Sequence, residues 1–384
     1  MGVTVGVLKE TLPGERRVAI VPKVLDLMAK MGAALCIETN AGLASGFSDS
    51  EYEAKGARIA KSPEEVYQAA HVLLSVHVTA PEDRGVAGAN ERVLIGFCDP
   101  SSQLTLIQRI ADQGSSLFSM EFIPRITRAQ SMDALSSMAS IAGYKAVLLA
   151  ADTLPRMFPM MMTAAGTIPP ARVFIVGAGV AGLQAIATAR RLGAVVSAFD
   201  VRTAVQEEIR SLGAKFVDIS MQSKAEGQGG YARQLTEEEV RRQREQMAAI
   251  LREQDVVITT AAVPGKKAPL LITKDMVRQM ARGSVIVDIA AERGGNCELT
   301  RPGETVVDSG VTILGPVNLP SSLPYHASQM YARNITAFLK NLLKDGDLHI
   351  DLEDEIVRET LVAYRGEVVH PKVQSILNAP AVVA

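Results

Sequence analysis

Residues 172–202 read RVFIVGAGVAGLQAIATARRLGAVVSAFDVR, and no other stretch of this 384-residue chain restricts the fold as tightly. An apolar run ends at Gly177, a helical pattern spans Val180 to Leu192, and a second apolar run ends at Asp200, 18 residues past Gly182. Continuous runs of this kind suit strands buried on both faces. A strand, a glycine turn, a helix and a second strand in this order place the two strands parallel. The glycines of Gly177-x-Gly179-x-x-Gly182 have separate tasks. Gly177 permits a tight turn, Gly179 lets a pyrophosphate approach the backbone, and Gly182 lets the helix pack on the sheet. With Ala178, Val180 and Ala181 they form the start of a helix whose free N–H groups and partial positive charge suit phosphates. Asp200, followed by Val201 and Arg202, stands where the adenosine ribose hydroxyls of a dinucleotide fall. Its carboxylate repels a 2′-phosphate and favours NAD, whereas an arginine at position 202 is able to accommodate that phosphate.

The same rhythm runs along the chain. Strands are predicted at 3–8, 34–38, 71–76, 92–97 and 116–121, then at 172–177, 195–200, 255–260, 284–290 and 311–315. Between the first two, Val24, Leu27, Met28 and Met31 share one helical face, and Gly32 provides the stop. The breaks GTIPPA (166–171), a hinge or boundary, and NLPSSLP (318–324) bracket the nucleotide-binding series. A helix follows at about Ala327–Leu343, and the last residues are too few to form a core of their own, so they pack back on the N-terminal part. Residues 218–254 are an insertion. Gly227, Gly229, Gly230 and Tyr231 mark a loop expected to be mobile without ligand and more ordered with it. The capping box Thr236-x-x-Glu239 opens a charged helix with Val240, Met247 and Leu251 at helical spacing. Met157, Met160, Met161 and Met162 read as core packing.

Composition narrows the function. At this length two domains are the default. A net charge of −2 exerts no long-range attraction on nucleic acid. Cys36, Cys98 and Cys297 are far apart, with no paired histidines, which argues for a reducing compartment and against a zinc site. The N-terminus lacks a secretory pattern, and no apolar run approaches the roughly 18–20 residues of a membrane span. The chain reads as a cytoplasmic protein.

One polar cluster remains: PRITRAQSMDALSS, 124–137, at the mouth of an apolar helix. Together with KETLPGERRVAIVP, FPMMMTAAGTIPPAR, ITTAAVPGKKAP and AERGGNCELT, it resembles the NAD(H)-binding subunit of proton-translocating nicotinamide nucleotide transhydrogenase. The similarity extends from the KETLPGERRVAIVP opening to GEVVHP, nearly the whole chain. The resemblance implies an α/β protein of two Rossmann-like domains with parallel sheets and an NAD cleft between them. One comprises 1–134 plus 328–384, and the NAD(H)-binding domain is 135–327. It further implies a homodimer that exchanges hydride with NADP(H) on a partner subunit. A membrane-spanning subunit couples the exchange to proton movement, with this chain peripheral on the inner face of the cytoplasmic membrane. Carried over position by position, Arg125 and Asp133 clamp the carboxamide and nicotinamide ribose, Ser136 completes the hydrogen bonding, and Gln130 reaches toward the partner's nucleotide. Ile126, Thr127 and Arg128 line the same segment. Gly230 and Tyr231 belong to a loop that closes on NAD(H), while Thr260 and Ala261 follow a parallel strand at its carboxyl end. No metal is implied. Transfer between two nicotinamides needs alignment rather than an acid or base.

Alanine dehydrogenases resemble the chain in the GERRVAxxP opening and the nucleotide domain. They carry a lysine and a histidine where Ser75 and Phe97 stand, and His77 lies near enough to substitute. A module that senses NAD(H) without catalysis is the third reading.

Overall fold

The computed structural model describes residues 2–86, 91–219, 237–262 and 267–378. They divide into two compact units, Met1–Met138 with Pro320–Ala384, and Ala139–Leu319. The first division falls inside the helix Ala134–Thr153 and the second at the turn Leu319–Ser322. Breaks in the sequence pattern suggest 134/135 and 327/328 instead. The segment read as a hinge, 166–171, lies within the second unit, where Met161–Thr163 and Gly166–Ile168 pair as an antiparallel hairpin.

In the first unit the parallel strands lie side by side in the order Arg58–Ala60, Ala33–Glu38, Val3–Val7, Val72–His77, Val93–Phe97, Ser116–Ser119. Counted along the chain this is the doubly wound order 3-2-1-4-5-6. Leu361–Tyr364 then pairs antiparallel with Ser116–Ser119, so the C-terminal return completes the sheet that the N-terminal residues begin. The helix after the first strand buries Val24, Leu25 and Met28 but leaves Leu27 45% exposed. Its buried face is rotated by about one residue from the stripe that spacing suggested, because a short 3-10 turn at Pro22–Val24 precedes it.

The second unit repeats the plan with Lys215–Phe216, Val195–Phe199, Arg172–Val176, Val256–Thr259, Val285–Asp288 and Val311–Leu314, and adds Thr305–Asp308 as an antiparallel edge. Alternate residues of its first strand enter opposite cores. Val173 and Ile175 pack with Ala146, Val147, Ala185 and Ile186, while Phe174 and Val176 pack with Met247, Leu251 and Met276. This two-sided burial is why the strand reads as an unbroken apolar run.

Two sequence expectations fail here. The helix Ala134–Thr153 is long and apolar enough to cross a membrane, although no apolar run of that length was expected. Its apolar residues Ala142, Ala146, Val147 and Ala150 face the second unit's core, which accounts for that composition. The methionines expected in the core are surface residues: Met157, Met160, Met161 and Met162 are 38, 58, 37 and 76% exposed, and Met161 and Met162 lie on the hairpin. Only Phe158 in that stretch is buried.

Candidate functional site

Gly177 ends the second unit's central strand with φ +98°, a conformation that side chains disfavour, and its N–H donates to Phe199 O at 2.8 Å. A Cβ on Gly182 would fall 1.9 Å from Gly177 O, so the helix Val180–Arg191 approaches the turn only because residue 182 has no side chain. Gly179 differs. Its φ of −76° suits any residue, and nothing lies within 4 Å of where a Cβ would stand. The space above Gly179 is open, at the N-terminus of a helix, where N–H groups have no intrahelical partner. That arrangement suits a phosphate.

Asp200, only 8% exposed, frames this loop. Oδ2 accepts the Ala178 N–H at 2.7 Å, and Oδ1 accepts the Arg202 N–H at 2.8 Å. The Arg202 guanidinium folds back on the same carboxylate through Nε at 3.0 Å and Nη2 at 3.1 Å. Burial alone raises the Asp200 pKa, but the Arg202 and Ala178 donors outweigh it and hold the carboxyl below its ordinary value. Arg202 therefore neutralises Asp200, while Val201 is 80% exposed beside them. Just past the neighbouring strand Val256–Thr259, Thr260 Oγ1 donates to Gly177 O at 2.9 Å and ties down the turn. The Ala261 backbone is bracketed by Asn296, which accepts its N–H at 3.0 Å and donates to its carbonyl at 2.8 Å. Asn296 N–H in turn binds the fully buried Asp288, which also accepts from Thr259, Ala290, Cys297 and Thr300. Neither Asn296 nor Asp288 was singled out from sequence. Only the residue type of Asp288, at a strand's carboxyl end, hinted at it.

The 124–136 segment belongs to the first unit. A 3-10 turn spans Thr127–Met132 and ends at Asp133, which precedes the long helix. Asp133 Oδ1 accepts the Ser136 N–H at 2.8 Å, and Oδ2 accepts Ser136 Oγ–H at 2.6 Å. Asp133 thus caps the helix with Ser136, and Arg125 is exposed without an ion pair among the described residues. Gln130 and Thr127 are exposed too, and Ile126 is half-buried. Arg128, in the segment expected to line the nucleotide, grips Asp354 with both guanidinium arms, at 2.6 and 2.9 Å. Its partner lies 226 positions away, beyond the reach of local sequence reading.

A second cluster in this unit was not foreseen. Arg17 binds Glu15 through Nε at 2.8 Å and Nη2 at 2.6 Å, with the two side chains 4 and 0% exposed. His77 Nε2 lies 3.0 Å from Glu15 Oε2 and 3.2 Å from Arg17 Nη2. Glu10 accepts the N–H groups of Val76 and His77 at 2.6 and 3.2 Å, and burial pushes its pKa up to about 7 against those donors. Phe97 is buried between His77 and Tyr331, and the Tyr331 hydroxyl donates to Ser75 O at 2.7 Å. The GERRVA stretch was the available signal, because it sets Glu15 two residues from Arg17 just before the apolar run at 18–21. Gly230 and Tyr231 lie outside the described residues, as does the 222–235 loop and the Thr236 capping box.

Residues 6–142 match the family model described as alanine dehydrogenase/PNT, N-terminal domain, and residues 146–371 match the C-terminal domain of the same family. The chain is 44% identical over 374 residues to NAD(P) transhydrogenase subunit alpha of Cereibacter sphaeroides, covering 96% of this chain and 71% of that protein. A crystal structure of transhydrogenase from Sinorhizobium meliloti is 41% identical, with a TM-score of 0.83 over 96% of this chain and 99% of that one. An L-alanine dehydrogenase structure, at 24% identity, shares the fold with a TM-score of 0.80 over 97% and 99% of the two chains.

Proposed function

The chain belongs to the alanine dehydrogenase/PNT family, and from that premise we propose that it is the NAD(H)-binding component of a proton-translocating transhydrogenase. NAD(H) is its cofactor, and the bound nicotinamide supplies or receives the hydride. An NADP(H)-binding partner subunit holds the other nicotinamide, and a membrane-spanning subunit couples the exchange to proton movement. The chain then sits peripherally on the inner face of the cytoplasmic membrane.

One observation carries the choice over alanine dehydrogenase. That chemistry needs a proton donor and acceptor beside the substrate, and the two positions that carry them in alanine dehydrogenases hold neither here. Ser75 and Phe97 stand where alanine dehydrogenases have lysine and histidine, and Phe97 is buried against an aromatic ring. His77, the nearest substitute, has Nε2 engaged by Glu15 and Arg17. Hydride passage between two nicotinamides needs no such group.

The residues then divide by task. The backbone of Gly177–Gly182 receives the pyrophosphate, and Asp200 with Val201 and Arg202 takes the adenosine ribose, favouring NAD(H) because a 2′-phosphate would meet the carboxylate. Thr260 and Ala261 border the loop. Arg125, Asp133 and Ser136 orient the carboxamide and nicotinamide ribose, Ile126 and Thr127 line them, and Gln130 faces the partner's nucleotide. Gly230 and Tyr231 cover the bound cofactor. The exposed methionine hairpin supports self-association as a homodimer, since apolar strands left open to water favour a partner.

The test mixes the chain with the NADP(H)-binding subunit of a related transhydrogenase and follows hydride exchange. Exchange dependent on that partner is expected. Reduction of pyruvate with ammonia and no partner would instead make the protein an alanine dehydrogenase, and tight NADH binding with neither reaction would make it a sensor.

A further inference from the structure

The turn that carries Gln130 is anchored from the C-terminal return, on both sides of that residue. One residue after it, Ser131 O accepts Asn334 Nδ2–H at 2.8 Å, from the helix Pro324–Leu342. Two residues before it, Arg128 holds Asp354, with Nη1 on Oδ2 at 2.6 Å and Nη2 on Oδ1 at 2.9 Å, and Nη1 also reaches Asn341 Oδ1 at 3.3 Å. Asp354 divides its oxygens. Oδ1 also caps the helix Glu355–Thr360 by accepting the Ile356 N–H at 2.7 Å, whereas Oδ2 meets Arg128. Hydrogen bonding from Arg128 holds the Asp354 carboxyl down at about 2, so the fork stays charged throughout the pH range of ordinary assays.

Asn334 is the more telling anchor. It is 7% exposed, and its Oδ1 is buried with no partner among the described residues. An unsatisfied buried amide oxygen destabilises a fold, and a leucine of similar size would not carry that cost. Helix packing therefore gives no reason for asparagine here, and the bond from Nδ2 to the turn does.

We propose that Asn334 and Asp354 are positioning residues for hydride transfer: through the Ser131 carbonyl and the Arg128 guanidinium they fix the turn that presents Gln130 to the partner's nucleotide. The inference rests on the functional reading above. Alignment of two rings at near contact distance is sensitive to displacements of about 1 Å, so slack in this turn lowers the rate before it lowers binding.

Asp354→Asn keeps Oδ1 and the helix cap but turns an N–H donor toward Arg128 Nη1, which breaks the fork. Asn334→Leu removes the other anchor and relieves the unsatisfied oxygen. Each variant is expected to speed amide hydrogen exchange at 127–133 at least tenfold. The kcat of hydride exchange with the NADP(H)-binding subunit should fall about tenfold, with the Kd of NADH within twofold of the parent. Asp354→Glu, which restores the carboxylate, should recover at least half of the parent kcat. Variants with the parent's kcat and the parent's hydrogen exchange would overturn the inference, as would a loss of NADH affinity equal to the loss of rate. A parent chain that exchanges no hydride with the partner would sink the functional reading itself, a result separable from failure of the variants alone.

Discussion

The strand ending at Val7 and the strand ending at Val176 hold the same place in their sheets, but the chain leaves them by different routes. After Val176 it turns at once through Gly177 into a helix and leaves open space above Gly179. After Val7 it runs without a helix until Pro22, and that excursion brings Glu10, Glu15 and Arg17 against the strand that ends at His77. One unit offers backbone N–H groups and a helix N-terminus, the other enclosed carboxylates and a guanidinium already paired. Phosphate oxygens fit the first and are repelled by the second. A shared topology thus does not imply a shared ligand; the residues after the first strand decide it.

The contrast breaks most visibly at Arg17. Removing one member of a buried ion pair leaves its partner charged and poorly solvated, at roughly 3–5 kcal/mol. Arg17→Met should fall toward the low end, because Glu15 keeps His77 at 3.0 Å and the Arg16 and Arg17 N–H groups at 3.0 and 2.8 Å. Urea unfolding should register that loss, while the folded variant binds NADH within threefold of the parent. A folded Arg17→Met protein that no longer binds NADH would place the first unit's cluster in the nucleotide site and collapse the distinction between the units.

Glu10 sharpens the same comparison through pH. Its carboxyl titrates near 7 in the folded chain against an ordinary value of 4.5, with His77 and Glu15 as its charged neighbours. The unfolded chain releases this proton first, so between pH 4.5 and about 7 the folded state binds more protons and stability falls as pH rises. The contribution is fully present below pH 4.5 and amounts to roughly 2–3 kcal/mol lost by neutrality. Glu10→Gln stays neutral throughout and should lack that decline. If parent and variant lose stability in parallel from pH 4.5 to 8, Glu10 is ionised in the folded protein at all these values and the cluster is solvated.

What sequence disclosed obeys the same division. The glycine loop was legible because its whole mechanism is local: a turn, an open backbone and a packed helix lie within six residues. The strands marked by unbroken apolar runs were legible within a residue or two, because burial on both faces writes itself that way, whereas Arg58–Ala60, Lys215–Phe216, Thr305–Asp308 and Leu361–Tyr364 were not recognised. Several of the first unit's polar residues were not, since they act through partners far along the chain, as with Arg128 and Asp354 or Glu10 and Val76. The roles of Arg125 and Asp133 came from the resemblance alone, and the local pattern did not show that Asp133 would cap the helix start with Ser136. The methionines misled for a different reason. An exposed hairpin and a buried strand share the same apolar composition, and only tertiary placement separates them.

The smallest expected effect on the fold tests the second unit most directly. At Gly179 the backbone angles, φ −76° and ψ −168°, are open to any residue, and an added methyl group would meet nothing within 4 Å. Gly179→Ala should therefore leave stability unchanged or raise it by about 0.4–1 kcal/mol, since alanine loses less chain entropy on folding. The same methyl group would occupy the space through which a pyrophosphate reaches the helix N-terminus. NADH affinity should then drop at least tenfold, about 1.4 kcal/mol, with no change in the unfolding midpoint beyond that small gain. The two measurements separate the causes, because a distorted loop would lower both stability and binding. Binding at the parent's affinity by a stable Gly179→Ala protein would mean that the phosphates do not lie over this backbone. The open space above Gly179 would then be an incidental gap, and the second unit's claim to the pyrophosphate would be lost.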